Sequence, residues 1–286
     1  GANVTLRVNP GFGHGHSQKT NTGGEGSKHG IWHEAIPDVL RRAEWAGLAV
    51  TGLHMHIGSG ADLDHLATVA QSLEKTAHNI GRSLTTISAG GGLPVPYRKC
   101  EHRADLSEYF RLWDATRKRL EDSFGHRIRL EIEPGRYLTA EAGILVTEVR
   151  AIKRQGSTKY LLVDAGFHTL ARPVLYGSYH PMSLCPTSTT PPNELEAVAI
   201  GGPLCESGDI FTQEEGGFVS TRELPPARVG DLLVIEVAGA YGFVMASNYN
   251  SKPFPAEFLV DGGKSQLVRT RQTAEDLFSG ESVPHS

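Results

Sequence analysis

The sequence predicts an α/β protein with an all-β region behind it: the C-terminal half of a (β/α)₈ TIM-like barrel over residues 1–139, then an antiparallel β domain over 140–286. Two observations predict this. Up to about residue 139, strand patterns alternate with amphipathic helical patterns, which favours parallel strands joined by right-handed crossovers. After that point the long helical patterns stop, and strand-rich runs separated by Pro and Gly follow.

The first region contains enough elements for half a barrel. We count four strands and three helices, and each strand ends in a polar or glycine-rich stretch, as the strands of a barrel do where they build a site. Four strands cannot close a barrel, so an open, doubly wound sheet is the alternative. The expected strands are 4–9, 48–57, 84–90 and 128–135, and the expected helices are 34–47, 62–81 and 106–125.

The second region is predicted from runs of alternating or continuous apolar residues. They are GILVTEVRAIKRQ (143–155), TKYLLVDAG (158–166), LEAVAIGG (195–202), DLLVIEVAG (231–239) and AEFLVDGG (256–263). The Pro-rich polar stretch 183–196 is expected to be a surface loop.

Composition restricts the class of partner. The net charge is −4, with acidic and basic residues interspersed, so the sequence lacks the basic stripe needed for nucleic acid or an anionic membrane. No apolar run approaches the roughly 20 residues of a membrane helix, and no signal segment opens the chain. We therefore expect a cytoplasmic protein with a small-molecule partner. The chain enters a strand pattern at once without a Met, and we expect that the beginning is missing.

Cysteine is scarce. Cys100, Cys185 and Cys205 are odd in number and irregular in spacing, which argues against a disulfide framework and a four-thiolate zinc site. We expect free thiols. Cys205 stands beside Glu206 within GGPLCESGD (201–209), where it is either a small buried filler or a reactive group.

Histidines and glycines follow the central strands. His54 and His56 are separated by one residue on a predicted strand, so both side chains face the same side and could hold a metal ion. The later strand ends supply no further histidine, which disfavours a metal site. Ser59, Gly60 and the run Gly90, Gly91 and Gly92 instead suggest a phosphate cradle, because glycine lets backbone N–H groups approach an anion.

Glu133, in EIEPGR (131–136), has two interpretations. It could pair locally with Arg136. It could also face the cavity of the phosphate cradle and keep a ring nitrogen protonated, which is what a pyridoxal phosphate electron sink requires.

Six ordered motifs make the chain resemble the fold-type III pyridoxal phosphate decarboxylases, and within them the group that acts on meso-diaminopimelate. They are HMHIGSG (54–60), SAGGGLPVPY (88–97), EIEPGRYL (131–138), DAGF…RPVLYGSYH (164–180), GPLCESGD (202–209) and GAYGFVMASNYNSKP (239–253). The opening residues 9–32 resemble the enteric-type bacterial version. The resemblance implies decarboxylation of meso-2,6-diaminopimelate to L-lysine and CO₂, a step of lysine biosynthesis.

The resemblance also implies roles for particular residues. His56 would stack on the cofactor ring, Glu133 would pair with the pyridinium nitrogen and Tyr241 would close over the cofactor. Glu206 would hold the distal ammonium group of the substrate, and Cys205 would donate a proton after CO₂ leaves, for which a thiol with a pKa near 8.5 is suited. Ser59, Gly90, Gly91, Gly92, Gly135 and Arg136 would line the phosphate region, and Arg136, Arg172 and Tyr176 would bind the distal carboxylate.

The family resemblance has two further consequences. In the family the Cys205 loop reaches the active site of the other subunit, which implies a homodimer with shared sites. None of the nine lysines stands in the family's Tyr-Ala-x-Lys-Ala-Asn-like context, so the resemblance implies a C-terminal two-thirds without the Schiff-base lysine, inactive alone. His168, Thr169, Ala246 and Lys252 depart from the family pattern and put the exact substrate preference in question.

Three competing functions remain open. One is a decarboxylase of D-lysine, D-ornithine or arginine on the same fold. Another is a metal-dependent hydrolase that uses His54 and His56. The third is a non-catalytic paralogue that regulates the true enzyme.

Overall fold

The computed structural model describes residues 1–13, 21–58, 63–81, 83–187, 194–282 and 284. The chain divides into two compact units, Gly1–Leu138 and Thr139–Ser286. Each is described by itself.

The first unit is built on a parallel sheet of five strands in the order β2-β1-β3-β4-β5. Strands β1, β3, β4 and β5 follow one another across the sheet in chain order, while the two-residue β2 pairs with the other side of β1; α1, α2 and α3 lie in the connections from β2 to β5. The winding of β1, β3, β4 and β5 in chain order is that of a partial barrel, and the predicted fold class is confirmed. The elements are β1 Asn3–Asn9, β2 Ile31–Trp32, α1 Ile36–Trp45, β3 Ala49–His54, α2 Leu63–Ile80, β4 Thr86–Ser88, α3 Leu106–Phe124, β5 Arg129–Glu131 and α4 Gly135–Thr139.

Helix α3 illustrates how local sequence sets these bounds. The Asp105 carboxylate accepts hydrogen bonds from the backbone N–H groups of Ser107 and Glu108, over 2.9 and 3.0 Å, and so caps the first turn. The helix ends at Gly125, which adopts a left-handed conformation with φ of 78°. Residues spaced three or four apart form its buried face: Tyr109, Trp113, Thr116, Leu120 and Phe124.

The strands are shorter than the sequence predicts, because their last residues leave the regular ladder. The strand expected over 48–57 ends at His54, and that expected over 128–135 ends at Glu131. Beyond these ends the chain keeps single bonds, such as the Glu133 N–H donating to the Gly90 carbonyl over 2.8 Å. The departing segments form the candidate site described below.

The second unit contains a six-stranded sheet in the order β10-β9-β7-β6-β11-β8. Four of its five pairings are antiparallel, while β7 and β9 are parallel. The β domain is confirmed, with that parallel pair added; a parallel pair needs a long connection, which α5 and β8 supply. The elements are β6 Leu145–Gln155, β7 Thr158–Val163, α5 Arg172–Tyr176, β8 Met182–Cys185, β9 Glu196–Gly201, β10 Arg222–Leu224 and β11 Leu232–Ile235.

A separate hairpin follows the sheet. It pairs β12, Glu257–Asp261, with β13, Lys264–Arg269. Gly262 and Gly263 join them, with φ of 54° and 77°, as a two-residue turn with both central residues at positive φ requires. A short helix, α6 (Ala274–Leu277), closes the described chain.

Each unit has its own apolar core. Leu53, Ile87 and Trp113 are fully buried in the first, and Leu161, Ile200 and Leu233 in the second.

Within the described residues, no helix is both long and apolar enough to cross a bilayer. All three cysteines are free thiols, as the sequence predicts, and all are exposed.

Candidate active site

The segments that follow β3, β4 and β5 converge at one edge of the first sheet. His56 lies two residues beyond β3, and its Nδ1 accepts a hydrogen bond from the Gly91 backbone N–H over 3.2 Å. The Gly135 N–H donates to the Glu133 carbonyl over 2.9 Å and turns the chain into α4. The structure thus brings together His56, Gly91 and Glu133, three residues that the sequence places 77 positions apart at most.

The glycine run after β4 is required by close packing. A Cβ on Gly90 would lie 2.5 Å from the Met55 carbonyl oxygen, and one on Gly91 would lie 2.8 Å from that of Glu133. Gly90 and Gly92 also have positive φ, 64° and 98°. Because a Cβ at these positions would collide with the backbone of neighbouring segments, only glycine fits the run beside His56.

His56 is a neutral ring. Burial, followed by the positive charge of Arg7, lowers its pKa to about 4. The bond from Gly91 requires a lone pair on Nδ1, so the ring proton is on Nε2. The flat ring therefore offers one N–H donor and an uncharged face.

Glu133 contacts His54 across the strand ends. Its Oε2 lies 3.3 Å from His54 Nε2; the His54 side chain is 9% exposed and the Glu133 side chain 61%. Burial lowers the pKa of His54, and Glu133 opposes that shift. The neighbouring Arg136 donates from Nη1 to the Tyr97 hydroxyl over 2.8 Å. The carboxylate of Glu133 is thus anchored on one side and open on the other.

Arg7 is a site residue that sequence reasoning missed. It lies on β1 in register with His54, and its Nη2 donates to the His56 carbonyl over 3.5 Å. Burial lowers the pKa of Arg7 and Glu133 raises it. The only feature of the sequence that could have indicated this role is the charged residue Arg7 within the otherwise strand-like pattern VTLRVN (4–9).

Of the other residues predicted in this unit, Ser59 and Gly60 lie outside the described residues. Gly135 and Arg136 open α4. The two histidines take different partners, and no group of three or more His, Cys, Asp or Glu side chains in the described chain could hold a metal ion. The geometry of His54 and His56 therefore gives no support to the hydrolase alternative.

In the second unit, residues 202–209 form a loop that we call the thiol loop. Cys205 and Glu206 are exposed on it, so the interpretation of Cys205 as a buried filler is wrong. Asp209, 4% exposed, holds the base of the loop: its Oδ2 accepts the Leu204 N–H and its Oδ1 the Phe167 N–H, each over 2.8 Å. Burial raises the pKa of Asp209, and these two bonds oppose the rise.

The outer part of the thiol loop is contacted by residues 249 and 250. The Cys205 N–H donates to Asn250 Oδ1 over 3.2 Å, and the Tyr249 hydroxyl donates to Glu206 Oε2 over 3.3 Å. The loop also lies against α5, because a Cβ on Gly208 would be 3.2 Å from a methyl group of Val174.

Helix α5 carries Arg172 and Tyr176 four positions apart, which places them on one face. Arg172 is 2% exposed and its Nη1 lies 3.0 Å from His180 Nε2, while His180 Nδ1 lies 2.9 Å from the Glu236 carbonyl. Because a guanidinium can only donate, His180 must accept at Nε2 and carry its proton at Nδ1. Tyr241, 42% exposed, has a φ of 58°, which is uncommon outside glycine.

Comparison with known proteins agrees with both units. Residues 1–140 match the family described as pyridoxal-dependent decarboxylase, pyridoxal binding domain. A diaminopimelate decarboxylase of Escherichia coli K12 is 50% identical over 283 residues, which are 98% of this chain and 67% of that protein. A crystal structure of a diaminopimelate decarboxylase superposes with a TM-score of 0.93 at 50% identity, covering 99% of this chain and 68% of that one.

A diaminopimelate decarboxylase from Helicobacter pylori, solved in complex with L-lysine, superposes with a TM-score of 0.81 at 30% identity, covering 97% of this chain and 66% of that one. The family match and these relatives show that the chain is a pyridoxal-phosphate-dependent decarboxylase. Within that class, the chain belongs to the diaminopimelate decarboxylase family. It spans about two thirds of the length of the relatives named here.

The first unit fits the family's cofactor. A phosphate needs backbone that it can approach closely, and the run Gly90–Gly92 carries no Cβ beside His56. Within the run, the Gly90 N–H donates to Ser88 Oγ and the Gly91 N–H to His56 Nδ1, each over 3.2 Å. A pyridinium nitrogen needs a carboxylate, and Glu133 presents one that is 61% exposed while His54 anchors it. The neutral, half-buried ring of His56 supplies a flat surface against which an aromatic ring can stack.

Proposed function

We propose that the protein converts meso-2,6-diaminopimelate into L-lysine and CO₂ with pyridoxal phosphate as cofactor. The observation that carries the proposal is the thiol loop. It presents Cys205 and Glu206 as consecutive, exposed residues, and separate hydrogen bonds hold the base of the loop and each member of the pair. A proton donor and an ammonium ligand side by side are what this reaction needs beyond the cofactor.

All of the proposed cofactor residues except Tyr241 lie in the first unit. Ser59, Gly90, Gly91, Gly92, Gly135 and Arg136 are proposed to hold the phosphate, with His56 on the ring and Glu133 at the pyridinium nitrogen; Tyr241 is proposed to cover the ring. When bound, pyridoxal phosphate supplies an electron sink for the bond that breaks between the α carbon and its carboxylate. Glu133 acts by keeping a positive charge on the ring nitrogen, and His54 holds Glu133 in place.

The substrate differs from lysine by a second carboxylate, and the proposed ligands match that difference. Arg172 and Tyr176 are proposed to bind the distal carboxylate, as is Arg136, because a guanidinium forms strong, oriented hydrogen bonds with a carboxylate. Glu206 is proposed to pair with the distal ammonium group, with Tyr241 lining the substrate. Both contacts orient the substrate before the reaction begins.

Cys205 is proposed as the catalytic acid. After CO₂ leaves, the α carbon must receive a proton, and the Cys205 Sγ–H is the donor. The thiol is exposed, and its backbone is fixed by Asn250. By family resemblance, the protein is further proposed to act as a homodimer with shared sites, in the cytoplasm.

A decarboxylase of D-lysine, D-ornithine or arginine is the second candidate, and an arginine decarboxylase does share the fold at 18% identity. Those substrates lack a distal carboxylate and would leave the Arg172 guanidinium without its substrate partner. Loss of such a charge-assisted contact costs about 2–3 kcal/mol, or roughly 30- to 150-fold in specificity.

A substrate panel tests the proposal. The holoenzyme should release CO₂ from meso-diaminopimelate at least roughly 30-fold more efficiently than from D-ornithine, D-lysine or arginine, with L-lysine as the amino-acid product. Arg172→Met should reduce kcat/KM for meso-diaminopimelate far more than for D-lysine. Efficient turnover of a diamino monoacid by the unaltered enzyme would overturn the substrate assignment.

A further inference from the structure

The segment that contacts the thiol loop is itself built in an unusual backbone conformation. Asn250 and Ser251 have φ of 53° and 54°, in the left-handed region that few non-glycine residues adopt. Asparagine is among the residues that tolerate it, because its short polar side chain can form local hydrogen bonds. The conformation sets the direction of the Asn250 side chain, whose Oδ1 accepts the Cys205 N–H over 3.2 Å.

Neighbouring contacts hold this segment in place. Asn248 Nδ2 donates to the Lys252 carbonyl over 2.9 Å and to Gln272 Oε1 over 2.7 Å. These two hydrogen bonds hold residues 248–252 in a turn. The Tyr249 ring lies 5.0 Å from the ring of Phe167, centroid to centroid. Phe167 is in turn bonded through its N–H to Asp209, at the base of the thiol loop. The segment and the thiol loop therefore share one set of supports.

We propose that Tyr249 and Asn250 are positioning residues that aim the two functional groups of the thiol loop separately. Asn250 fixes the backbone of Cys205, and Tyr249 fixes the carboxylate of Glu206. The inference rests on the proposed function, in which the thiol delivers a proton and the carboxylate holds an ammonium group.

Each bond has its own effect. A bond to the Cys205 N–H restricts rotation of the loop backbone, and so fixes the position of the Cα–Cβ bond from which Sγ extends. The Tyr249 hydroxyl occupies Oε2 of Glu206 and leaves Oε1 for a ligand. Glu206, and then burial, raises the pKa of Tyr249, so the hydroxyl stays a proton donor throughout the neutral range.

Hydrogen exchange of the holoenzyme tests the Asn250 contact directly. Asn250→Gly keeps a residue that adopts positive φ and removes the acceptor, so the Cys205 amide should exchange about tenfold faster or more. Asn250→Asp keeps an acceptor and should retain protection. The Gly202 amide, which donates to the Asp209 carbonyl over 2.9 Å, should be unchanged in both variants and reports that the loop base is folded. Unchanged exchange at Cys205 in Asn250→Gly would overturn the proposal.

Kinetics test the separation of roles. Asn250→Gly should lower kcat for meso-diaminopimelate about tenfold with little change in KM, because the thiol acts after the substrate is bound. Tyr249→Phe, which keeps the ring beside Phe167, should raise KM several-fold with little change in kcat. If both variants instead showed the same decrease in kcat and the same increase in KM, the segment would only support the fold. If Cys205→Ala keeps full turnover, the proposed function of the thiol fails, while the exchange experiment still decides whether the contact exists.

Discussion

The backbone N–H of Gly91 donates a hydrogen bond to Nδ1 of His56 over 3.2 Å, and a protonated imidazole has no lone pair to accept it. Burial makes protonation more costly still and lowers the pKa of His56 to about 4. The carboxyl-end edge of the first sheet is therefore built around a neutral histidine.

Acid should weaken the first unit in a defined range. In the unfolded chain, His56 becomes protonated as the pH falls below about 6.5. In the folded chain, its pKa is lowered to about 4, so it becomes protonated only near that pH. The unfolded state thus holds more protons between these values, so the free energy of unfolding should fall as pH falls from 6.5 to 4, by about 3 kcal/mol. The lowered pKa of His54 acts in the same direction.

Tryptophan fluorescence during urea unfolding isolates this effect, because Trp32, Trp45 and Trp113 all lie in the first unit. His56→Gln should have a flatter pH dependence across that range than the unaltered chain. An identical slope in the two proteins would show that His56 titrates normally.

The glycine run should tolerate no side chain. A Cβ at Gly92, whose φ is 98°, would lie 2.5 Å from the Gly58 carbonyl oxygen. We expect Gly92→Ala to destabilise the first unit by about 1–3 kcal/mol and to weaken cofactor binding. Titration of the apoenzyme with pyridoxal phosphate, followed by its visible absorbance, measures the second effect.

Gly26→Ala is the matched control, since a Cβ there meets nothing within 4 Å and its φ is outside the positive range. The control should bind cofactor normally. Equal affinities in the two variants would contradict the assignment of the run to the cofactor.

His180 should be needed for the Arg172 guanidinium. His180→Leu removes the acceptor 3.0 Å from Arg172 Nη1 in a buried setting. Loss of one bond to a charged group costs about 1.5–3 kcal/mol, so kcat/KM for meso-diaminopimelate should fall roughly 10- to 150-fold.

His180→Gln retains a side-chain acceptor and should recover part of the loss. Circular dichroism of both variants checks that the β domain is intact. A His180→Leu enzyme with normal kcat/KM would show that Arg172 holds its position without this contact.

The local sequence pattern predicted the helices and strands themselves better than it predicted which strands pair with each other. The expected helix over 106–125 is observed at Leu106–Phe124, because its cap at Asp105, its periodic apolar face and its terminal glycine all lie within one stretch. The parallel pairing of β7 and β9 depends on a connection that crosses the whole sheet, so neither strand alone indicates it.

The candidate site residues were likewise predictable where the signal is local and missed where it depends on a distant partner. His56, the glycine run, Glu133 and Cys205 stand out as residue types at strand ends or in a glycine-rich turn. Arg7, His180 and Asp209 were missed, because each acts through a partner distant in sequence: Phe167 lies 42 positions from Asp209, and the Glu236 carbonyl 56 positions from His180. Long-range hydrogen bonds leave no periodicity in the sequence. The assigned roles of the site residues remain predictions.

The central claim is that Cys205 and Glu206 serve different steps, and steady-state kinetics of two holoenzyme variants test it most directly. Cys205→Ala should lower kcat about 10²- to 10⁴-fold while cofactor absorbance stays normal, because the α carbon loses its proton donor. Glu206→Gln should chiefly raise KM for meso-diaminopimelate, because its contact with the ammonium group is the same before and during the reaction. A Cys205→Ala enzyme with unaltered turnover would contradict the account.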